Sequence, residues 1–208
     1  MKLSEMTEAQ VDEYYKRLEM LKAEAEVEAR WRTAIHEAGH VITSMIFAPK
    51  KWNTTVILPN LGGLAYNCAD FPEIQNAIIM AAGRAAEQLI KTCPVPATPQ
   101  QAPSLGNPLG NAFNKLPKEF KETLAVDNAI SESDERRLAL YAMAGHELKP
   151  EEWLPRLREV QRQAAVLVRQ FRPSILVVAT ELFKAGYLSC WDLCRLLPEG
   201  PQRDPELF

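Results

Sequence analysis

The sequence lacks a long apolar run. Its 208 residues are 47% hydrophobic, yet the longest apolar stretches, near residues 77–82 and 175–179, are far shorter than the roughly 18–20 residues that cross a bilayer. The N-terminal residues are acidic and amphipathic, without the basic and apolar regions of a secretory signal. We therefore expect no membrane span and a cytoplasmic location.

The sequence also lacks an excess of charge of one sign and any glycine-rich phosphate loop. Lys and Arg total 24, Asp and Glu total 27, and the net charge is −3, which argues against a dedicated nucleic-acid-binding protein. The absence of a Walker A pattern excludes a P-loop ATPase module.

No cysteine belongs to a CxxC pair, so reduced thiols are expected rather than disulfides or a metal site. The cysteines are Cys68, Cys93, Cys190 and Cys194.

Helical periodicity accounts for most of what is present. Residues 22–30 contain few large apolar side chains, so the first helix is expected to be solvated there or to have a weak joint. Alternation of β-branched residues predicts a strand at 53–58, and residues 64–68 would return as its partner. The fold class is therefore mainly α with a small two-stranded β-element. Helices are predicted over residues 4–47, 70–91, 118–144, 151–171, 173–185 and 189–197.

Composition and hydrophobic periodicity also divide the chain into segments. An amphipathic acidic helix is expected at residues 1–30, a main domain at 31–199 and a polar tail at 200–208. Within the main domain, residues 94–117 contain several of the 15 prolines. A loop of that length is usually either a functional lid or a disordered insert, and both interpretations remain open.

The segment His36-Glu37-Ala38-Gly39-His40 is an HExxH motif on a predicted helix. Histidines four residues apart lie on one face of a helix, so both imidazoles can reach one zinc ion. Glu37 is offset by about 100° around the helix and would lie beside the open coordination position. There it would act as general base, taking a proton from zinc-bound water and passing it to a leaving amine.

A catalytic zinc usually has three protein ligands, so the sequence must supply a third. The metzincin pattern would place a histidine six residues after the second histidine of the motif, but Ile46 stands there, which excludes that class. The remaining histidine, His146, follows a predicted helix stop and is expected to be exposed. The acidic candidates are Glu87, Asp127 and Asp134. Gly83 is interpreted as a residue that allows close helix packing.

At this point the sequence resembles the protease domain of FtsH-type ATP-dependent zinc metalloproteases. The resemblance covers roughly residues 31–197 and follows the order of that family's motifs. Ala82 stands where the family usually has glycine. The matching segments are Thr33–His40 with the HExxH motif, Thr55–Pro59 with a short active-site strand, Ala82–Glu87 with a GGRxAE helix, Ser131–Arg137 with the segment carrying the third ligand, and Tyr141–Gly145 in the helical C-terminal part.

The resemblance implies a helical, zincin-like metallopeptidase domain at residues 31–199. It implies that His36, His40 and Asp134 bind Zn²⁺ and that Glu37 is the catalytic base. Asp127 and Glu87 remain alternatives for the third ligand. The family carries an ATPase domain directly before the protease domain, whereas here that space is one acidic helix.

Three functional hypotheses follow from these features. The first is a zinc metalloendopeptidase that cuts unfolded or flexible polypeptides, with the strand at 54–58 holding substrate by backbone pairing. The second is a non-catalytic, zinc-stabilised interaction module whose N-terminal helix docks a separate ATPase or associates with itself. The third is a protease that stays inactive until the 94–117 loop moves or is cut. No nucleic-acid partner is expected.

Overall fold

A computed structural model describes residues 7–48, 53–58, 62–67, 71–90, 95–96 and 150–205. Within these ranges the chain is mainly helical, which confirms the predicted class. None of the helices in these ranges is both long enough and apolar enough to cross a membrane. The helices are α1 (Glu8–Phe47), α2 (Glu73–Ile90), α3 (Pro150–Gln170), α4 (Arg172–Ala185) and α5 (Cys190–Leu196), and the strands are β1 (Asn53–Leu58), β2 (Gly62–Asn67) and β3 (Tyr187–Leu188).

Several sequence predictions lie outside the described residues. They include the helix at 118–144, all of the 94–117 segment except residues 95 and 96, and the Ser131–Arg137 segment. Asp127, Asp134 and His146 belong to the same undescribed part of the chain. Their roles therefore stay predictions.

The first helix begins at a capping box. Thr7 Oγ accepts the backbone N–H of Gln10, and Gln10 Oε1 accepts the backbone N–H of Thr7. Threonine at the N-cap with glutamine three residues later is typical of this motif. Of the two alternatives for residues 22–30, the structure has a solvated helix, because α1 continues through them without a break. The predicted segment boundary thus lies inside one helix, at the point where side-chain burial begins with Trp31.

The β-element has three strands rather than the predicted two. β1 lies in the middle, paired antiparallel with β2 along its length and with β3 at Thr55 and Val56. The two residues of β3 follow Gly186, which ends α4 in the left-handed conformation at φ 74°. The sequence did not predict β3, because two residues are too few to show the alternation of a strand. Because β1 is central, the prediction that it offers substrate a free edge is wrong at Thr55 and Val56. Among the described strands, β2 forms an outer edge along its whole length.

The core lies between the C-terminal half of α1 and the helices α2 and α4, with α3 packed on α2. Trp31 of α1 meets Phe183 of α4 edge to face, with ring centroids 5.7 Å apart. The guanidinium of Arg30 lies 5.5 Å from the same ring, and burial there lowers the pKa of Arg30. These contacts join the end of the exposed half of α1 to the body of the protein.

The C-terminal residues are also tied to this body. Ser189 caps α5 through a box with Asp192, and the hydrogen bonds from Ser189 lower the pKa of that carboxyl. Further along, the backbone N–H of Gln202 donates to Ser174 Oγ at 2.7 Å. The N–H of Asp204 donates to the carbonyl oxygen of Gln170 at 2.6 Å. The predicted polar tail is therefore held, at least to residue 204, at the junction of α3 and α4.

The helices α1 and α2 approach each other closely at Gly39. A Cβ at this position would lie 2.7 Å from the carbonyl oxygen of Ala82 and 2.9 Å from Ala86 Cβ. Ala82 and Ala86 are fully buried. The small side chains of α2 therefore bring the two helices together, as the sequence predicts for the segment around Ala82.

Replacing Gly39 by alanine should destabilise the protein. Alanine favours a helix by about 1 kcal/mol over glycine, but the added methyl would push against the backbone of α2, and overpacking typically costs about 1–3 kcal/mol. We expect a net loss in the free energy of unfolding, measured by urea denaturation followed by circular dichroism. Ala23→Ser, on the exposed part of α1, should change that free energy by less than about 0.5 kcal/mol. A Gly39→Ala protein as stable as the parent would contradict the close contact.

Candidate metal centre

The two histidines of the HExxH motif lie in the buried half of α1. His40 is 4% exposed and His36 is partly buried. One helical turn separates them, and their rings stand 4.6 Å apart between centroids at an interplanar angle of 77°. The motif thus places both imidazoles together on the face of α1 that meets α2, as the spacing of four predicts.

Each imidazole is held at its Nδ1 atom by a group of α2. His40 Nδ1 lies 2.6 Å from the carbonyl oxygen of Ile79, and His36 Nδ1 contacts Glu87 Oε1. A carbonyl oxygen and a carboxylate only accept hydrogen bonds, so Nδ1 must carry the proton in both rings. In the neutral tautomer this leaves the lone pair of each ring on Nε2, which is the form that ligates a metal.

Both Nε2 atoms face the same small space beside Gly83 of α2. A Cβ built at Gly83 would lie 2.6 Å from His36 Nε2 and 2.6 Å from His40 Nε2. Glycine therefore keeps open a space that any side chain would fill. Gly83 does sit where two helices approach closely, as predicted, but its neighbours are the two candidate ligand atoms.

These residues fit a zinc ion. Two neutral imidazoles in the ligating tautomer, each supported from behind by a carbonyl or carboxylate, form the donor set and outer shell of histidine zinc sites. Within the described residues, no group of three or more His, Cys, Asp or Glu side chains comes together as a metal site. The predicted third ligand Asp134 and its alternative Asp127 lie outside these residues, so their roles stay predictions.

Glu87 is better explained as a residue that orients His36 than as a metal ligand. Its carboxylate oxygen contacts Nδ1 of His36, the nitrogen that would not bind the metal. The contact spans 51 residues of sequence, and no local pattern connects the two positions. The contact therefore favours a positioning role for Glu87 over the ligand role that the sequence left open.

Glu37 is buried beside the two histidines, with 4% of its surface exposed. An ionised carboxylate in such a place requires polar or charged partners, and Glu37 does take part in a polar or electrostatic interaction. Glu37 follows His36 in the sequence and lies in the buried half of α1. Its position is compatible with the predicted role of general base.

The geometry defines a class of site, namely a candidate two-histidine metal centre between paired helices. No protein-family model matches the sequence, and no curated protein matches it either. The interpretation of the centre depends on the HExxH motif and on the contacts of His36, His40, Gly83 and Glu87.

Replacing Gly83 by alanine should remove most of the bound zinc while the protein still folds. The imidazoles cannot swing away from the new methyl group without breaking their Nδ1 contacts to Ile79 and Glu87. Alanine is also the better helix former by about 1 kcal/mol, so α2 should persist. Zinc per chain is measured by elemental analysis, and folding by circular dichroism. Gln88→Ala, on the exposed face of the same helix, is the matched control and should keep its zinc. Full zinc content in Gly83→Ala would contradict the site.

Replacing Glu87 by alanine should weaken zinc binding without abolishing it. Loss of a group that orients a ligating histidine typically lowers metal affinity by about 10–100-fold. Glu87→Gln keeps an acceptor oxygen but loses the charge, so its affinity should lie between those of Glu87→Ala and the parent. Competition with a chromophoric chelator measures these constants, with Gln88→Ala again as control. Unchanged affinity in Glu87→Ala would mean that the contact with His36 has no part in metal binding.

Proposed function

We propose that the protein is a zinc metalloendopeptidase that hydrolyses peptide bonds in unfolded or flexible polypeptides. The observation that carries the proposal is the convergence of His36 and His40 Nε2 atoms beside Gly83, with both Nδ1 atoms held from α2. An HExxH motif needs this arrangement to bind one zinc ion. Asp134 would complete the ligand set, as the resemblance to FtsH-type proteases implies.

Zinc, Glu37 and the two histidines would each have a distinct role in the hydrolysis. Zinc, when bound, is a Lewis acid that lowers the pKa of its bound water toward about 7. Glu37 would accept a proton on its carboxylate as water attacks the peptide carbonyl, and would then return it to the leaving amine. His36 and His40 would bind the metal through Nε2, because the Nδ1 atom of each ring is already directed at Glu87 or at the carbonyl oxygen of Ile79.

The proposed substrate is an extended chain rather than a folded protein. Backbone pairing along a sheet edge places little demand on side-chain sequence, and β2 offers such an edge over Gly62–Asn67 among the described strands. Such substrates would be flexible on their own or would be unfolded by an ATPase partner. A cytoplasmic location would suit the reduced cysteines.

Replacing Glu37 by glutamine tests the catalytic role directly. The amide has nearly the same shape as the carboxylate but cannot act as a base, so cleavage of an unfolded protein should fall by about 10²–10⁴-fold. Zinc content should stay at about one per chain, because Glu37 is not a ligand. The rate is measured as new N-termini released over time, with and without a chelator.

The matched control is Glu26→Gln, which makes the same substitution at an exposed position of α1 and should leave the rate unchanged. Equal cleavage by the parent and Glu37→Gln proteins would remove Glu37 from the mechanism. A folded parent protein that takes up no zinc would overturn the peptidase proposal.

A second function is favoured by a different observation. The N-terminal half of α1 exposes large apolar side chains that the described core does not cover, including Tyr15 and Met20. This surface fits a zinc-stabilised interaction module. The same assay separates the two functions, since a module would hold zinc and cleave no substrate, with or without Glu37.

A further inference from the structure

The first half of α1 extends away from the core. The helix has 40 residues and is therefore about 60 Å long, yet the described core includes none of its residues before Val27. Leu21 is 54% exposed and Met20 64% exposed. A helix of this length gains most of its stability in water from packing of an apolar face, so this segment needs a partner surface.

The apolar residues of this segment follow a heptad pattern. They recur with alternating spacings of three and four, which places them at the a and d positions of two-stranded coiled coils. The stripe begins near the N-terminus of α1 and ends before the body of the protein. Its members are Val11, Tyr14, Leu18, Leu21 and Ala25.

We propose that residues 11–28 of α1 pair with the same segment of a second copy as an antiparallel two-stranded coiled coil. The charged residues beside the stripe determine whether the two helices run parallel or antiparallel. With Val11 at position a, Arg17 and Glu24 occupy g positions and Lys22 an e position. In a parallel pair, Arg17 would face the partner's Lys22, which is repulsive. In an antiparallel pair, Arg17 faces the partner's Glu24, and the two-fold axis repeats that ion pair.

The same register gives complementary packing at the stripe positions from Tyr14 to Ala25, whereas Val11 at the end of the stripe lies opposite the partner's Glu28. When Leu18 lies opposite the partner's Leu21, Tyr14 lies opposite the partner's Ala25, so a large ring meets a small side chain. Tyr15 then stands beside the partner's Lys22, where an ammonium can lie over an aromatic ring. The two bodies would lie at opposite ends of the paired helices, because each begins near Trp31.

The full-length protein should therefore dimerise in a concentration-dependent way, measured by sedimentation equilibrium from low to high micromolar concentration at low salt. Leu21→Asp should make it monomeric. The matched control, Met20→Asp, places the same charge at a neighbouring exposed apolar residue outside the stripe and should leave the dimer intact. Both residues lie outside the described core, so circular dichroism should show folded protein in each case.

Charge reversal tests the direction of the helices. Arg17→Glu and Glu24→Arg should each weaken the antiparallel dimer by about tenfold, because two ion pairs become two like-charge pairs. The double variant should recover the parent affinity. In a parallel dimer, Arg17→Glu would instead strengthen association by facing the partner's Lys22.

Three results would overturn the proposal. One is a monomer at every concentration, which would mean that another part of the chain covers the stripe. Another is tighter association of Arg17→Glu. The third is a double variant as weak as the single variants. Zinc content and cleavage do not enter any of these measurements, so the outcome is independent of the proposed peptidase function.

Discussion

The close approach of α1 and α2 is the contact on which the candidate metal centre depends. At Gly39 the helices meet with no space for a Cβ, and the facing residues of α2, Ala82 and Ala86, are fully buried. This spacing brings the carbonyl oxygen of Ile79 and the carboxylate of Glu87 within reach of the two imidazoles. Protein interiors are so closely packed that a volume change of one methylene group alters the packing. We therefore expect the centre to tolerate little change in the distance between the two helices.

The two helices contribute different things to the centre. α1 supplies the two imidazoles and the Glu37 carboxylate, whereas α2 supplies the groups that hold the imidazoles and the space at Gly83. In both His36 and His40 the Nδ1 atom is held by a group of α2, and the Nε2 atom faces the space beside Gly83. The arrangement of the two rings therefore depends on both helices.

One continuous helix carries two surfaces of different character. From Trp31 onward α1 has buried residues on most of its circumference, as expected for a helix inside a core. Before Val27 it is largely exposed and carries a narrow apolar stripe with charged residues beside it. Because the helix is unbroken between them, any partner that binds the stripe is held in a defined direction relative to the metal centre.

The sequence by itself determined the features that depend on neighbours in the chain. The capping boxes at Thr7 and Ser189, the end of α4 at Gly186 and the placement of His36 and His40 on one helix face all follow from local rules that span a turn or two. These rules could not supply β3, because two residues carry no periodicity, and its pairing with Thr55 and Val56 is long-range.

Only the tertiary structure decided how the histidines are held. Their Nδ1 partners lie 39 and 51 residues away in sequence, and one of them is the backbone carbonyl of Ile79, which has no residue-type signal. Gly83 could be recognised as a close-packing residue, but its neighbours could not be named from its flanking residues. The reason is physical. Local sequence fixes the direction of a side chain on its own helix, whereas the atoms it meets depend on the distance and rotation between two helices, which the whole core sets.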